Sequence, residues 1–324
     1  MKALITGGAG FIGSHLAERL IADGHHVMVL DDLSTGSMRN IALLVDSPGF
    51  DYRIGSVLDQ PLVNDLVDRT DMTIHLAAAV GVKLIVERPV HAIQTNYNGT
   101  EAVLKAAAAL SKTVLISSSS EVYGKANKVP FREDDDLVLG STSISRWSYG
   151  FGKAIDECLA LAYGRERGVP VIVTRLFNTA GPRQTGNYGM VLPTFAAQAV
   201  RGQPITVYGS GEQSRCFAHV RDVCEALVRL MQTPAATGQV FNIGNDFEIS
   251  IARLAELVRD HAGSRSQIVK LSYEQAYAGN FEDMLRRVPD LSKLERVIGY
   301  RPSTPLDQII ADVVAAAQAN RSGP

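Results

Sequence analysis

Short apolar runs alternate with helical patterns along the first half of the chain. Residues 27–31 and 171–175 are near-continuous in Val, Ile and Leu, a pattern typical of strands buried on both faces. Between such runs, as at 13–23 and 148–167, apolar residues recur at helical spacing. The predicted strands are 3–6, 27–31, 51–54, 72–76, 113–117 and 171–175, and the helices between them are 13–23, 60–69, 96–110 and 148–167. Strand–helix–strand units of this kind predict an α/β fold with a Rossmann-type doubly wound parallel sheet.

The pattern changes after about residue 176. Loops rich in Gly, Pro and polar residues then separate shorter elements, and helical patterns return at 191–201, 222–232, 249–262 and 305–318. We therefore predict a first domain over 1–176 that binds a cofactor and a smaller α/β substrate domain over 177–324. A strand near 240–243 is expected to return to the first sheet, so the boundary is interlaced.

Composition excludes several classes of function. The chain has 324 residues and a formal net charge of −2, and nucleic acid or an anionic membrane surface would require a basic excess. Its three cysteines form no CxxC pair and no ligand-like cluster, so we expect no metal site. An odd cysteine count, with no secretory leader at the first residues, predicts a cytoplasmic protein. No apolar run approaches the roughly 20 residues that span a bilayer.

A glycine motif follows the first predicted strand. Gly7, Gly10 and Gly13 are spaced three apart and open a helical pattern. Such a loop lets the backbone approach a pyrophosphate closely, and the helix N-terminus offers it free N–H groups. Asp31, at the end of the next strand, stands where a carboxylate accepts from the adenosine ribose hydroxyls. An acidic residue there disfavours a 2′-phosphate, so the motif predicts NAD rather than NADP.

A second motif supplies acid–base chemistry. Tyr149 and Lys153 are four residues apart and share a helix face, and a serine run that includes Ser119 closes a strand. Lowering the tyrosine pKa by roughly 3 units needs about 4 kcal/mol, which a cation at about 4 Å supplies at an effective dielectric of about 20. With Lys153 and the nicotinamide ring beside it, Tyr149 would remove a sugar hydroxyl proton while Ser119 binds the same oxygen. Glu121, two residues further on, is either a second acid/base or an ion-paired residue at the strand end.

Together these motifs resemble the extended short-chain dehydrogenases that act as nucleotide-sugar epimerases, dehydratases and decarboxylases. The resemblance covers nearly the whole chain, through TGGAGFIGSHL at 6–16, HLAA at 75–78, TNYNGT at 95–100, YGFGK at 149–153, LFNTAGPR at 176–183 and RRVPDLSK at 286–293. SSEVYG at 119–124, SRWSYGFGK at 145–153 and SRCFAHVRD at 214–222 are most similar to the UDP-glucuronate decarboxylases. Residues 81–89 match no pattern of that group, although they are expected to border the sugar.

The resemblance implies a role for each matching position. The catalytic residues would be Ser119, Tyr149 and Lys153, with Ser120 and Glu121 beside the 5- and 6-positions of the sugar. The NAD-binding residues would be Gly7, Gly10, Phe11, Ile12, Gly13, Asp31, Leu76, Ala77, Ala78, Asn96, Ser117, Tyr149 and Lys153. The substrate-binding residues would be Asn178, Tyr208, Arg215 and Arg287.

The implied activity is transient oxidation at the sugar 4-position. Decarboxylation of UDP-glucuronate, to UDP-xylose or its 4-keto intermediate, ranks ahead of UDP-glucose or UDP-glucuronate 4-epimerisation because of Glu121 and the RWSY context. A 4,6-dehydratase ranks lower, because the well-known dehydratases have Asp where this chain has Ser120. A catalytically silent NAD-binding regulator is disfavoured by the presence of Ser119, Tyr149 and Lys153 together. The apolar helices at 96–110 and 148–167 predict a homodimer with a four-helix interface, or else burial within one subunit.

Overall fold

A parallel sheet of seven strands forms the centre of the computed structural model, which describes residues 1–186, 190–272 and 282–322. Its strands are β1 (Lys2–Thr6), β2 (His26–Asp31), β3 (Phe50–Ile54), β4 (Met72–His75), β5 (Thr113–Ser119), β6 (Val171–Leu176) and β11 (Gln239–Ile243). Their spatial order is β11-β6-β5-β4-β1-β2-β3, so the order of connection reverses between β1 and β4. The predicted Rossmann-type sheet is confirmed, and β11 is the return strand, parallel to β6.

Helices cover both faces of this sheet. They are α1 (Phe11–Ala22), α2 (Met38–Ile41), α3 (Gln60–Asp68), α4 (Val82–Glu87), α5 (Pro89–Leu110) and α6 (Ser148–Arg167). Local chemistry sets their ends: the Asp59 side chain accepts from the Leu62 N–H at 3.1 Å before α3, and Gly168 ends α6 in a left-handed conformation. Two predictions were wrong here. α5 begins seven residues earlier than expected, because Pro89 suits a first helical position, and α4 was not predicted.

The second half of the chain forms a smaller α/β region around its own core. Its helices are α7 (Val191–Val200), α8 (Val220–Met231), α9 (Ile251–His261), α10 (Ser292–Ile298) and α11 (Leu306–Ser322). Three pairs of short strands accompany them: β7 (Thr179–Ala180) with β10 (Ala218–His219), β8 (Ile205–Tyr208) with β13 (Ile268–Leu271), and β9 (Ser214–Cys216) with β12 (Glu248–Ser250). Apolar side chains of α7, α9 and α11, including Phe195, Leu254 and Ile309, pack together. Because β11 belongs to the first sheet, the chain crosses between the two predicted domains more than once.

The helices expected at a dimer interface, α5 and α6, pack against each other within one subunit. Ala102, Val103, Ala106 and Ala107 of α5 are buried in the core beneath the sheet, so for these four residues burial within one subunit, the second of the two predicted alternatives, is the one observed. Small side chains at these positions let α5 lie close to its own sheet. Within the described ranges, none of the helices combines the length and the apolar character needed to cross a bilayer.

Candidate active site

A cavity of about 570 Å³ opens at the carboxyl ends of the central strands, where the strand order reverses. Open α/β sheets bind their ligands at this point, because the loops that follow neighbouring strands diverge there. Most of the residues predicted for the site lie on its wall. They are Gly7, Gly10, Phe11, Ile12, Gly13, Asp31, Leu76, Ala77, Ala78, Ser117, Ser119, Ser120, Glu121, Tyr149, Asn178 and Arg287.

The glycine loop at one end of the cavity leaves no room for side chains. Gly7 has a φ of +71°, and a Cβ there would lie 2.8 Å from the backbone nitrogen of Ala77. A Cβ on Gly13 would lie 2.3 Å from the carbonyl oxygen of Gly7. The loop therefore packs backbone against backbone, and the first turn of α1 presents its free N–H groups to the cavity. This geometry fits a pyrophosphate that approaches the main chain closely.

Asp31 closes the same end of the cavity. Its Oδ2 accepts from the Ala9 N–H at 2.9 Å and its Oδ1 from the Leu33 N–H at 2.8 Å, so the carboxylate is fixed in place. Burial raises the pKa of Asp31 above its usual value, while these backbone donors oppose the rise. Each carboxylate oxygen has a further lone pair, which leaves room for the ribose hydroxyls of an adenosine. The residues present therefore fit a dinucleotide.

Tyr149 and Ser119 both line the cavity, and their side chains interact. Burial, followed by the charges of Glu121 and Asp156, raises the pKa of Tyr149 above its usual value in the free protein. Lys153 is fully buried beneath the cavity wall, and its Nζ pairs with Asp156 Oδ2 at 3.2 Å. The expectation that Lys153 lowers the phenol pKa overlooked Asp156, which neutralises part of the lysine charge. Deprotonation of Tyr149 at neutral pH therefore needs a further positive charge beside it.

Three buried arginines and two carboxylates form a cluster on the opposite wall. Glu121 lies between Arg146 and Arg287, with Oε2–Nη1 and Oε1–Nη1 distances of 2.5 and 2.7 Å. Asp283 pairs with Arg215 at 2.8 Å and lies about 4 Å from the other two arginines. Despite burial, the charges of Arg146 and Arg287 hold the pKa of Glu121 far below its usual value. Among the described residues, three guanidinium groups face two carboxylates in this cluster. The geometry thus favours the ion-paired interpretation of Glu121.

Arg146 and Asp283 were missed at the sequence level. Arg146 precedes Tyr149 by three residues, and this spacing could have indicated that the two side chains lie on the same side of the chain. Asp283 carried no signal, because it reaches Arg215 across 68 positions of sequence. The unmatched segment does border the cavity as expected, where Gly81, Leu84 and Arg88 line the wall.

Four predicted residues lie away from the described part of the cavity wall. Lys153 and Arg215 are held in the ion pairs described above. Asn96 is buried behind the wall and binds the Ala79 backbone, accepting from its N–H at 2.7 Å. Tyr208 ends β8 and is half-buried. Asn178 lies on the wall but donates to the Cys216 carbonyl at 3.0 Å. The roles predicted for these residues remain predictions.

Comparison with known proteins adds to this geometry. The family described as GDP-mannose 4,6 dehydratase matches residues 4–313. The UDP-N-acetyl-alpha-D-glucosaminuronate decarboxylase of Bacillus cytotoxicus is 39% identical over 315 residues, 97% of this chain and 96% of that protein. UDP-glucuronic acid decarboxylase 1 of Xenopus tropicalis is 36% identical over 307 residues, 95% of this chain and 70% of that protein. The solved UDP-glucuronic acid 4-epimerase of Bacillus cereus, in complex with UDP-glucuronic acid and NAD, superposes with a TM-score of 0.89 at 25% identity, covering 99% of this chain and all of that one.

Proposed function

Because the chain belongs to the GDP-mannose 4,6-dehydratase family of NAD-dependent extended short-chain dehydrogenases, we propose that it decarboxylates a UDP-linked hexuronate through a 4-keto intermediate. The single observation that carries this proposal is the group of buried arginines at the cavity wall. Two of its arginines, Arg146 and Arg287, line the cavity that also contains Tyr149. A sugar carboxylate suits such a wall because guanidinium groups bind carboxylates through charge-assisted hydrogen bonds, whereas a neutral hexose offers no negative charge to them.

The chain's own residues can carry the proton transfers. NAD, when bound, accepts a hydride from the sugar 4-position and later returns it. Tyr149 removes the 4-hydroxyl proton, and Ser119, which lines the same cavity, binds the same sugar oxygen. Tyr149 returns the proton when the ketone is reduced.

Loss of carbon dioxide follows from the position of the ketone. A 4-keto hexuronate is a β-keto acid, so the bond between C5 and C6 breaks with its electrons passing into an enolate. Guanidinium groups that hold the carboxylate fix the orientation of that bond relative to the ketone. A proton then adds at C5, and reduction of the ketone completes the pentose.

A substrate comparison tests the proposal. We expect carbon dioxide release from UDP-glucuronate or from UDP-N-acetylglucosaminuronate, the two uronates named by the relatives, and none from UDP-glucose. The measurement is trapped labelled carbon dioxide together with identification of the nucleotide-sugar product. A product with inverted C4 and no gas release would establish a 4-epimerase instead. NAD binding without turnover of any of these substrates would support a silent regulator.

We also propose a cytoplasmic homodimer. Cys158, Cys216 and Cys224 are free thiols, which a reducing compartment preserves. The outer face of α5 and α6 exposes apolar side chains: Val90 (66%), Ile93 (45%), Tyr97 (36%) and Ile155 (50%). Positions 90, 93 and 97 recur at helical spacing, so they form one stripe that a second copy would cover.

Light scattering is expected to give twice the 34.9 kDa chain mass at micromolar concentration. Ile93→Asp should give the monomer mass, because it places a charge in the stripe. Leu43→Asp is the matched control, since Leu43 is 83% exposed outside α5 and α6. A monomer mass for the unmodified chain would remove the dimer proposal.

A further inference from the structure

A buried series of hydrogen bonds lies directly behind the turn at Ser120–Tyr123, which carries Glu121. Arg175 of β6 binds Glu157 of α6 through two of its nitrogens, with Nη2–Oε2 and Nε–Oε1 distances of 2.7 and 2.9 Å. The remaining nitrogen, Nη1, donates to the Tyr123 hydroxyl at 2.9 Å. A bidentate pair of this kind fixes the guanidinium plane, so the direction of the N–H that donates to Tyr123 is also fixed.

The series has a defined polarity. Arginine can only donate, so the Tyr123 oxygen accepts from Arg175 and gives its own hydrogen to Asn242 Oδ1, 2.7 Å away. That bond orients the Asn242 amide, whose Nδ2 donates to the Phe131 carbonyl at 2.9 Å. Burial raises the pKa of Tyr123 to about 12, so the phenol keeps its proton at neutral pH. The hydroxyl therefore fixes positions and does not exchange protons.

The part of the series from Tyr123 to Phe131 connects the two sides of one ion pair. The Phe131 N–H donates to the Val288 carbonyl, and the Phe131 carbonyl accepts from the Asp290 N–H, both at 2.8 Å. Phe131 thus holds the segment that immediately follows Arg287. Tyr123 itself lies in the turn that carries Glu121, and the Glu121–Arg287 distance is 2.7 Å.

We propose that the Tyr123 hydroxyl is a positioning group that sets the Glu121–Arg287 pair, by tying the turn to the segment after Arg287. Tyr123 itself lies outside the described cavity lining. Its ring stacks on Phe131, with centroids 4.5 Å apart and planes at 8°, and these contacts need no hydroxyl. Removing the oxygen alone therefore breaks the link and leaves the packing in place. The expected fall in kcat rests on the proposed function, whereas the expected separation of Glu121 and Arg287 does not.

Tyr123→Phe tests this directly. In its crystal structure we expect Glu121 and Arg287 to separate beyond hydrogen-bonding distance. The kcat for carbon dioxide release should fall about tenfold to 100-fold while KM changes less than about threefold, because misplaced reacting groups slow the chemical step. The matched control is Tyr300→Phe, which removes a hydroxyl bonded to Asp222 at 3.1 Å, a residue outside the described cavity lining. It should keep the ion pair and leave kcat within about twofold of the unmodified chain.

An intact Glu121–Arg287 pair in the Tyr123→Phe crystal structure would overturn the proposal, whatever the kinetics. So would a kcat equal to that of Tyr300→Phe. If Tyr123→Phe does not fold, Asn242→Asp provides the second test, because it keeps the acceptor for Tyr123 and removes the donor toward Phe131; the same separation is then expected. Failure of the proposed function shows separately, as no carbon dioxide from the unmodified chain, and the crystallographic test still decides the positioning role.

Discussion

Replacing Tyr149 with phenylalanine should lower kcat by about 10²- to 10⁴-fold, the usual contribution of a positioned acid–base group. The phenol lines the cavity together with Ser119, and phenylalanine offers no oxygen to accept the sugar proton. Binding of NAD should survive the change, because the glycine loop and Asp31 lie at the other end of the site. The measurement is reduced-dinucleotide absorbance in a single turnover with a UDP-linked hexuronate.

Tyr163→Phe is the matched control for this variant. Tyr163 lies on the same helix, α6, and packs its ring against the core away from the described cavity wall. Its loss of a hydroxyl should leave kcat within about twofold. Activity of Tyr149→Phe within about threefold of the unmodified chain would remove Tyr149 from the mechanism and the proposed chemistry with it.

The groups around Tyr149 also predict how kcat/KM depends on pH. Burial and two nearby carboxylates raise the pKa of Tyr149, so the phenol is protonated at neutral pH in the free protein. The base is the ionised form, so kcat/KM should rise with pH up to the phenol pKa of the protein with NAD bound. The nicotinamide ring of NAD carries the further positive charge that this pKa requires to reach the neutral range.

Local sequence patterns were sufficient for the parts of the site that local structure determines. Gly7, Gly10 and Gly13 belong to one turn, and Tyr149 and Lys153 to one helix, so spacing alone placed them. The strands were equally predictable, because burial on both faces requires continuous apolar runs.

The charge cluster was not predictable in the same way, because its members come from distant segments. Arg215 meets Asp283 across 68 positions, and only the return of the chain to the cavity brings them beside Glu121. The spacing of residues along the chain also gave no indication that Asp156 would form an ion pair with Lys153. The sequence therefore left the role of Glu121 open between acid–base catalysis and ion pairing, and the folded arrangement of the arginines favours the second.

Replacing Glu121 with glutamine should lower the free energy of unfolding by about 3 kcal/mol, the order expected when one partner of a buried pair loses its charge. The Glu121 side chain is 12% exposed, and the change removes the negative charge that lies between the Arg146 and Arg287 guanidinium groups. Because the pKa of Glu121 lies far below 4.5 when folded, this contribution is present above about pH 4.5 and is lost as pH falls through the folded pKa. Denaturant unfolding at pH 7 and pH 3 measures it, and the difference between the two proteins should shrink at the lower pH.

Two further changes should accompany the loss of stability. The charge of Glu121 raises the pKa of Tyr149, so its removal should move the rising limb of the kcat/KM profile to lower pH. Glu121→Gln removes the negative charge between Arg146 and Arg287, so the carboxylate of UDP-glucuronate meets less repulsion there and should stabilise the variant more than it stabilises the unmodified chain. UDP-glucose, which lacks the carboxylate, should stabilise both proteins equally.

The surface pair of Glu101 and Lys105 provides the control. Its atoms are 3.1 Å apart, but the two side chains are 30% and 53% exposed, so Glu101→Gln should change stability by less than about 0.5 kcal/mol at either pH. A Glu121→Gln variant as stable as Glu101→Gln, with an unshifted pH profile, would mean that the cluster does not constrain Glu121. The buried arginines would then no longer support recognition of a sugar carboxylate, because that inference requires Arg146 and Arg287 to be held at the cavity wall by Glu121 until the substrate binds.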